Sequence, residues 1–198
     1  MIAYGAAEPC PPPAAVGMDR GRLPFAVLRR DDEARLVRRA REGDGDAFAE
    51  LYRRHFAAVY RVAYLVCHDA AAAEDIAQEA FLAAVRNLDR FERGRPVRPW
   101  LARIASNRAI DWLRARHRRA ETAGDELRDG AAHDPEPPAA LQLIAGLPPE
   151  QRQVVALRFV LELTPGEIAA LLELPRGTVN SRLRRGLDAL GTELGEAP

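Results

Sequence analysis

The feature that most constrains this chain is segment 96–119, which reads PVRPWLARIASNRAIDWLRARHRR. Its apolar residues recur at helical spacing and predict an amphipathic helix that buries one face in a core. The remaining positions carry seven arginines and a single acid, Asp111, and the segment also contains two tryptophans. A dense cationic face with exposed aromatic side chains is typical of a helix that binds single-stranded or opened nucleic acid.

A solvated basic face on a purely structural helix is the alternative interpretation of this segment. The loop Arg-Gly-Arg-Pro at 93–96 and the distribution of charge favour nucleic acid. Residues 90–119 contain ten arginines against two acids, residues 121–136 contain six acids against one arginine, and residues 176–185 contain four arginines and no acid. Although the net charge is zero, two basic blocks separated by an acidic spacer predict two nucleic-acid contacts on two separate domains.

The composition excludes several other classes of protein. With 198 residues, of which 47% are hydrophobic, the chain suffices for one ordinary domain or two small ones. Cys10 and Cys67 make no disulfide framework, and no histidine has partners at metal-ligand spacing. Because no catalytic triad, phosphate loop or carboxylate cluster is found, we predict no enzyme and no metal or cofactor. Neither a signal sequence nor an apolar run of roughly 20 residues is found, which predicts a cytoplasmic protein without membrane insertion.

The order of segments predicts an all-α fold of two small helical domains joined by a flexible linker. An N-terminal tail, residues 1–28, is rich in Pro, Ala and Gly and is expected to be disordered. The first domain, 29–119, is expected to contain four helices, the second capped by Asp46 and the third by Asp69. The acidic, Pro-rich segment 120–138 is the expected linker, and we expect the two domains to move independently in the free protein.

The third predicted helix combines an apolar stripe with an acidic face. It contains no arginine before Arg86, although the chain is rich in arginine. An acidic face of this kind is equally compatible with solvation and with docking of a basic partner. The stripe expected to be buried consists of Ile76, Phe81, Leu82, Val85 and Leu88, and the acidic face of Glu74, Asp75, Gln78 and Glu79.

The second domain, residues 139–194, is expected to contain a helix-turn-helix. Thr164 and Glu167 form a capping-box pattern, with Pro165 at the first helical position. A tight turn separates this short helix from a last helix at 176–190, which is rich in arginine. A second helix in this arrangement lies in the DNA major groove with its N-terminal residues at the base edges.

Both domains together resemble the bacterial sigma-70 family, in its small extracytoplasmic-function group. The resemblance runs from about 31 to 194 and leaves out the linker. Four blocks in the family's order carry it: DIAQEAFL at 75–82, WLARIASNRAIDWLR at 100–114, LPPEQR at 147–152 and GTVNSRL at 177–183.

The resemblance implies a protein that binds RNA polymerase core and directs promoter recognition, DNA melting and transcription initiation. Its first domain would bind the β′ clamp helices and the −10 element, with Asn107 reading a base that has left the stack. By similarity, the polymerase-binding residues are Asp75, Gln78, Glu79, Phe81 and Leu82, and the −10 residues are Arg95, Arg98, Trp100, Arg103, Asn107, Arg108, Asp111 and Arg114.

The second domain would, by the same resemblance, read the −35 element and contact the β flap. An anti-sigma factor is a further implied partner. The residues expected to contact the −35 element are Arg176, Thr178, Asn180, Ser181, Arg182, Arg184 and Arg185.

Three positions depart from the family pattern. Glu173 occupies a position that is usually glycine, Asn180 one that is often basic, and Val85 one that is often tryptophan. A non-glycine residue at 173 must tolerate or avoid a positive φ.

The alternative function is that of a helix-turn-helix regulator with an N-terminal sensor domain. A sensor requires a pocket, whereas residues 75–112 offer a polar docking helix and an Arg/Trp helix.

Overall fold

A computed structural model describes residues 30–92, 94–123 and 139–195 of the chain. Regular structure in these ranges is entirely helical, which confirms the predicted all-α class. The predicted tail and most of the predicted linker lie outside the described residues. The helices are α1 (Arg30–Arg41), α2 (Gly45–Cys67), α3 (Ala70–Asn87), α4 (Val97–Ala123), α5 (Ala139–Ala145), α6 (Pro149–Val160), α7 (Pro165–Leu172) and α8 (Arg176–Gly195), with a 3-10 turn at Leu88–Arg90.

Helix caps explain where α2 and α3 begin. Asp69 caps α3 as predicted, because its carboxylate accepts a hydrogen bond of 2.9 Å from the Ala72 N–H. The predicted cap at Asp46 is wrong, since Asp44 accepts from the Ala47 N–H at 3.0 Å. Asp44 has the extended backbone that a capping residue needs, whereas Asp46 already lies in the first helical turn. An Asp-Gly-Asp sequence offers two candidates, and backbone geometry selects the first.

The buried side of α3 is built largely from alanine. Ile76, Phe81 and Leu88 are buried as predicted, together with the small residues Ala73, Ala77, Ala80 and Ala84. The prediction of burial was wrong for Leu82 and Val85, whose side chains are 59% and 48% exposed. The alanines form a stripe along which α3 packs against α2 and α4. The two exposed residues lie beside that stripe on the acidic side of the helix.

Helix α2 is the centre of the fold, and it packs against α1, α3, α4 and α6. Its aromatic residues contribute to the core, as their helical spacing predicts. Tyr52 lies 4.7 Å from Phe81 of α3 between ring centroids and stacks on Phe56 at 4.9 Å. These contacts fix α3 beside α2, so that the acidic face of α3 points away from the core.

Helices α1–α4 are called the first unit below, and helices α5–α8 the second unit. The second unit contains the predicted helix-turn-helix, formed by α7 and α8. Thr164 and Glu167 form the predicted capping box, which determines where α7 begins. The helix ends at Glu173, which has φ 56° and ψ 40° and donates its backbone N–H to the Ala169 carbonyl. Glu173 therefore adopts the left-handed conformation for which glycine is the usual residue.

The two units pack against each other in this structure. Their buried residues form one continuous core, with α6 against α2 and α4 and α7 against α4. The Arg152 guanidinium strengthens this contact by donating to the Val66 carbonyl at 2.8 Å, at the end of α2. The expectation that the units move independently concerns motion in solution and stays a prediction. None of the described helices is long and apolar enough to cross a membrane.

Candidate polymerase and nucleic-acid interfaces

The acidic face of α3 is exposed to solvent. Asp75 and Gln78 are exposed on it, and the Gln78 amide donates to the Glu74 carboxylate at 3.3 Å. The exposed side chains of Leu82 and Val85 continue this face toward the end of the helix. The α3 face (Glu74, Asp75, Gln78, Leu82 and Val85) thus combines negative charge with apolar area, as protein interfaces commonly do.

Two of the residues predicted to bind polymerase lie in other surroundings. Phe81 is 2% exposed and belongs to the aromatic core, so it can support the α3 face but cannot contact a partner from there. Glu79 is paired with Arg108 of α4. Glu79 is predicted to bind polymerase and Arg108 to bind DNA, so their ion pair lies where the two predicted surfaces meet.

A concave site forms where the loop before α4 meets α3 and α4. Trp100 packs against Phe91 with ring centroids 4.7 Å apart. Both tryptophans of α4 are half-buried rather than exposed, and Arg116 lies over the Trp112 ring at 5.3 Å. The neighbouring cavity has a volume of ≈ 390 Å³ and is lined by Ala83, Asn87, Arg90, Phe91, Trp100, Arg103, Ile104 and Asn107.

Arginines predicted to bind the −10 element contact the second unit. Arg103 lies 2.7 Å from the carboxylate of Glu173, and Arg114 lies 3.3 Å from that of Glu150. A third residue of this set, Arg98, donates to the backbone carbonyl of Val160 at 2.9 Å. These three arginines of α4 therefore face α6 and the turn after α7.

Asn107, the predicted base-reading residue, is also held by the second unit. Gln153 of α6 is 3% exposed, and its side-chain amide donates to Asn107 Oδ1 at 2.8 Å and to Ser106 Oγ at 3.0 Å. Both N–H groups of this buried amide are satisfied by α4, so Gln153 bridges the two units.

Three of the predicted −10 residues, Arg98, Arg95 and Asp111, lie in different electrostatic surroundings. Burial and the nearby charge of Arg61 lower the pKa of Arg98, while Glu162 opposes that shift. Arg95 lies in the exposed loop before α4 and pairs with Glu92. Asp111 is exposed and lies 3.6 Å from Arg114, within its own helix.

The residues predicted to read the −35 element lie on α8. Val179 and Leu183 anchor this helix in the core. The opposite positions, Arg176, Asn180, Arg184 and Arg185, are exposed, whereas Thr178, Ser181 and Arg182 are half-buried. Arg184 lies 4.0 Å from Asp188, one turn further along. The predicted reading face therefore remains exposed while four of the predicted −10 residues, Arg98, Arg103, Asn107 and Arg114, contact the second unit.

Sequence reasoning missed three residues of this interface. Glu150, Gln153 and Glu173 contact α4 across separations of 36 to 70 positions in the chain. Gln153 carried a usable signal, because it is a polar residue three and four positions before the buried Ala156 and Leu157, on the same face of the helix. The departure of Glu173 from glycine was visible, but its partner was not.

Comparison with known proteins identifies both units. Residues 51–119 match the family description Sigma-70 region 2, and residues 139–190 match Sigma-70, region 4. The RNA polymerase sigma factor SigW of Bacillus subtilis is 34% identical over 177 residues, which is 80% of this chain and 94% of SigW. The sigma-E factor of Escherichia coli is 32% identical over 179 residues, 80% of this chain and 92% of the relative. Both relatives carry the extracytoplasmic-function designation in their names.

Solved structures show the same fold. CnrH in complex with the cytosolic domain of CnrY covers 85% of this chain and 100% of its own, with a TM-score of 0.64 at 27% identity. RpoE of Bartonella quintana covers 76% of this chain and 98% of its own, with a TM-score of 0.65 at 22% identity. A regulator with an N-terminal sensor domain is not favoured, because the first unit matches region 2 itself. The chain belongs to the sigma-70 family, in its extracytoplasmic-function group, and acts as an RNA polymerase sigma factor in transcription initiation.

Proposed function

We propose that the α3 face is the main contact of this chain with RNA polymerase core, through the β′ clamp helices. The observation that carries this proposal is an exposed acidic and apolar face on α3, without arginine before Arg86, in a chain that is otherwise rich in arginine. Asp75 and Gln78 supply charge and hydrogen bonds that orient the complex, and Leu82 supplies apolar area that is buried on binding. Glu79 contributes at the edge, where it is shared with Arg108.

The −10 element is the proposed ligand of α4 and of the loop before it. The cavity beside Trp100 and Asn107 suits a base that has left the stack, since it offers an aromatic wall and a polar amide. Arg103, Arg108 and Arg114 bind phosphates in this proposal. Unstacking a base costs a few kcal/mol, on the order of what stacking and phosphate contacts can offset.

The −35 element is the proposed ligand of α8. Arg176 binds a phosphate, while Asn180 and Arg184 reach base edges from the exposed side of the first turns. The same unit contacts the β flap, for which the exposed Phe159 provides apolar area outside α8. The functional units in this proposal are residues 29–119 and 139–194, with 120–138 as the linker.

Regulation by an anti-sigma factor is part of the proposal. It is supported by the likeness to CnrH, whose solved structure is a complex with the cytosolic domain of CnrY. The protein is proposed to act in the cytoplasm, where polymerase and promoter DNA are found, and to act by binding rather than by catalysis.

Asp75→Arg tests the docking assignment. We expect this variant to weaken binding to polymerase core at least tenfold, about 1.4 kcal/mol, because it places a cation against basic clamp helices. Affinity is measured by titrating labelled core with the full chain. Asp75 is a better position than Glu79, since Glu79→Arg would also disturb Arg108.

Glu42→Arg is the matched control, because Glu42 is an exposed acid in the turn after α1 and is not part of the α3 face. It makes the same change of charge and is expected to leave core affinity unchanged. Equal affinities of the Asp75→Arg variant and the wild-type chain, at unchanged helix content, would refute the assignment of the α3 face.

A further inference from the structure

The second unit holds the side chains of α4 that are assigned to the −10 element. Glu173 pairs with Arg103, Glu150 pairs with Arg114, and Gln153 donates to the amide oxygen of Asn107. A carboxylate on an arginine occupies the same hydrogen-bonding positions as a phosphate oxygen. In this arrangement, two glutamates stand where the proposed function places phosphates of the opened strand.

We infer that this packed arrangement is autoinhibited, with Glu173 acting as a latch that holds the second unit on the −10 surface. The inference rests on the proposed function of α4. Arg103 is the critical partner, because it lines the base cavity and also pairs with Glu173 at 2.7 Å. Strand binding and latch closure compete for the same guanidinium.

The backbone of Glu173 gives an independent reason for this role. Its φ of 56° lies in the left-handed region, where a side chain introduces steric strain that glycine avoids. Glycine at this helix end would therefore have less backbone strain than glutamate. The glutamate makes its ion pair outside its own helix-turn-helix, with Arg103 of α4, and this contact accounts for a residue that the turn itself disfavours.

The latch acts on only one of the two proposed DNA surfaces. Arg176, Asn180 and Arg184 are exposed on α8 while the second unit covers α4. The latched protein can consequently meet a duplex through α8, but it must release α4 before an opened strand can bind. Release of α4 from the second unit is thus coupled to the step in which single-stranded DNA becomes available.

The test compares Glu173→Gly and Glu173→Gln with Glu42→Gln in the full chain. Glu42 is an exposed acid in the turn after α1, and it is not the partner of Arg103. Glu173→Gln and Glu42→Gln each remove one exposed negative charge at nearly constant shape, so they differ in the latch. The ligand is a fluorescent mixed-sequence single-stranded DNA of about 20 nucleotides, and affinity is measured by anisotropy at several salt concentrations.

Glu173→Gly is expected to bind the single strand about threefold more tightly than the wild-type chain, the scale of one exposed ion pair. Glu42→Gln is expected to match the wild-type chain. Glu173→Gln, which removes the charge at nearly constant shape, should tighten binding in the same direction. Unchanged affinity of both Glu173 variants, or an equal gain in Glu42→Gln, would overturn the latch.

A further substitution separates the latch from the function on which it rests. Arg103→Ala, added to Glu173→Gly, should weaken single-strand binding. If it does so while Glu173→Gly alone has no effect, the latch is wrong and the DNA role of α4 survives. If Arg103→Ala changes nothing in the open variant, the assignment of α4 to the opened strand fails, and the latch fails with it.

Discussion

At the scale of single residues, Glu33 joins three helices of the first unit. One carboxylate oxygen lies 2.9 Å from Nε2 of the buried His55 on α2. The other accepts a hydrogen bond of 3.3 Å from the backbone N–H of Val97, where α4 begins. A side chain on α1 thereby satisfies an N–H group at the start of α4, which has no partner within that helix.

The pKa of Glu33 makes this junction sensitive to acid. Burial opposes ionisation, but hydrogen bonds from His55 and Val97 and the charges of His55 and Arg54 outweigh it, and the pKa falls below the ordinary 4.5. A carboxyl whose pKa is lowered by folding stabilises the native state above its unfolded pKa. That contribution is lost as the pH falls through the lower, folded value.

Glu33→Gln is expected to be less stable than the wild-type chain at pH 7 and to approach it below about pH 4.5. The glutamine cannot ionise, so its loss is largest where Glu33 is charged. Urea unfolding at a series of pH values from 7 to 3 gives the difference in the free energy of unfolding. Glu42→Gln, at an exposed acid, provides the control, and a difference that stays constant across this range would contradict the expectation.

At the scale of elements, α4 and α8 present arginine in different surroundings. On α4, Arg103 and Asn107 line a cavity with an aromatic wall, which suits an unstacked base. On α8, Asn180 and Arg184 stand on an exposed helical face, which suits a groove. This difference predicts that the two helices act at different steps of promoter use.

Arg184→Ala should weaken binding to a duplex promoter by roughly 1–3 kcal/mol if the arginine makes a bidentate guanine contact. The loss should be small on a template already melted at the start site, where strand contacts dominate. Electrophoretic mobility shifts of holoenzyme on the two templates measure the difference. An equal loss on both would show that α8 does not act in duplex recognition.

Asn107→Ala should leave closed-complex binding nearly intact and lower open-complex formation. The substitution removes the amide proposed to read the flipped base, and it also removes the Asn107 partner of Gln153. Permanganate reactivity of thymines near the start site reports melting. Loss of duplex binding with normal melting would reverse the assignment of α4 and α8.

At the scale of the whole molecule, the two units share one core across the α2, α4 and α6 contacts. A shared core predicts one cooperative unfolding transition for both units, whereas the independent units expected from the sequence predict two. Gln153→Ala should lower the free energy of unfolding by about 1–3 kcal/mol, because it leaves the buried Ser106 hydroxyl oxygen of α4 without its donor. Differential scanning calorimetry checks both expectations, and two separate transitions in the wild-type chain would show that the units unfold independently.

Local signals in the sequence determined most of the helices and the character of their faces. The caps at Asp69 and Thr164 act within a few residues, so their patterns can be read directly. The helix-turn-helix and the Arg/Trp helix depend on spacing along one or two elements, and the four motif blocks together identified the family. The acidic stretch of α3 was equally visible, although sequence alone left solvation and docking open.

Tertiary structure decided which positions face each other. Leu82 and Val85 are apolar, yet the alanine stripe of α3 is what packs on α2 and α4 and leaves them exposed. Glu173 showed in the sequence only as a departure from glycine, because its partner Arg103 lies 70 residues away. Residues so far apart meet only after both helices have packed on a common core, and no local pattern encodes that geometry.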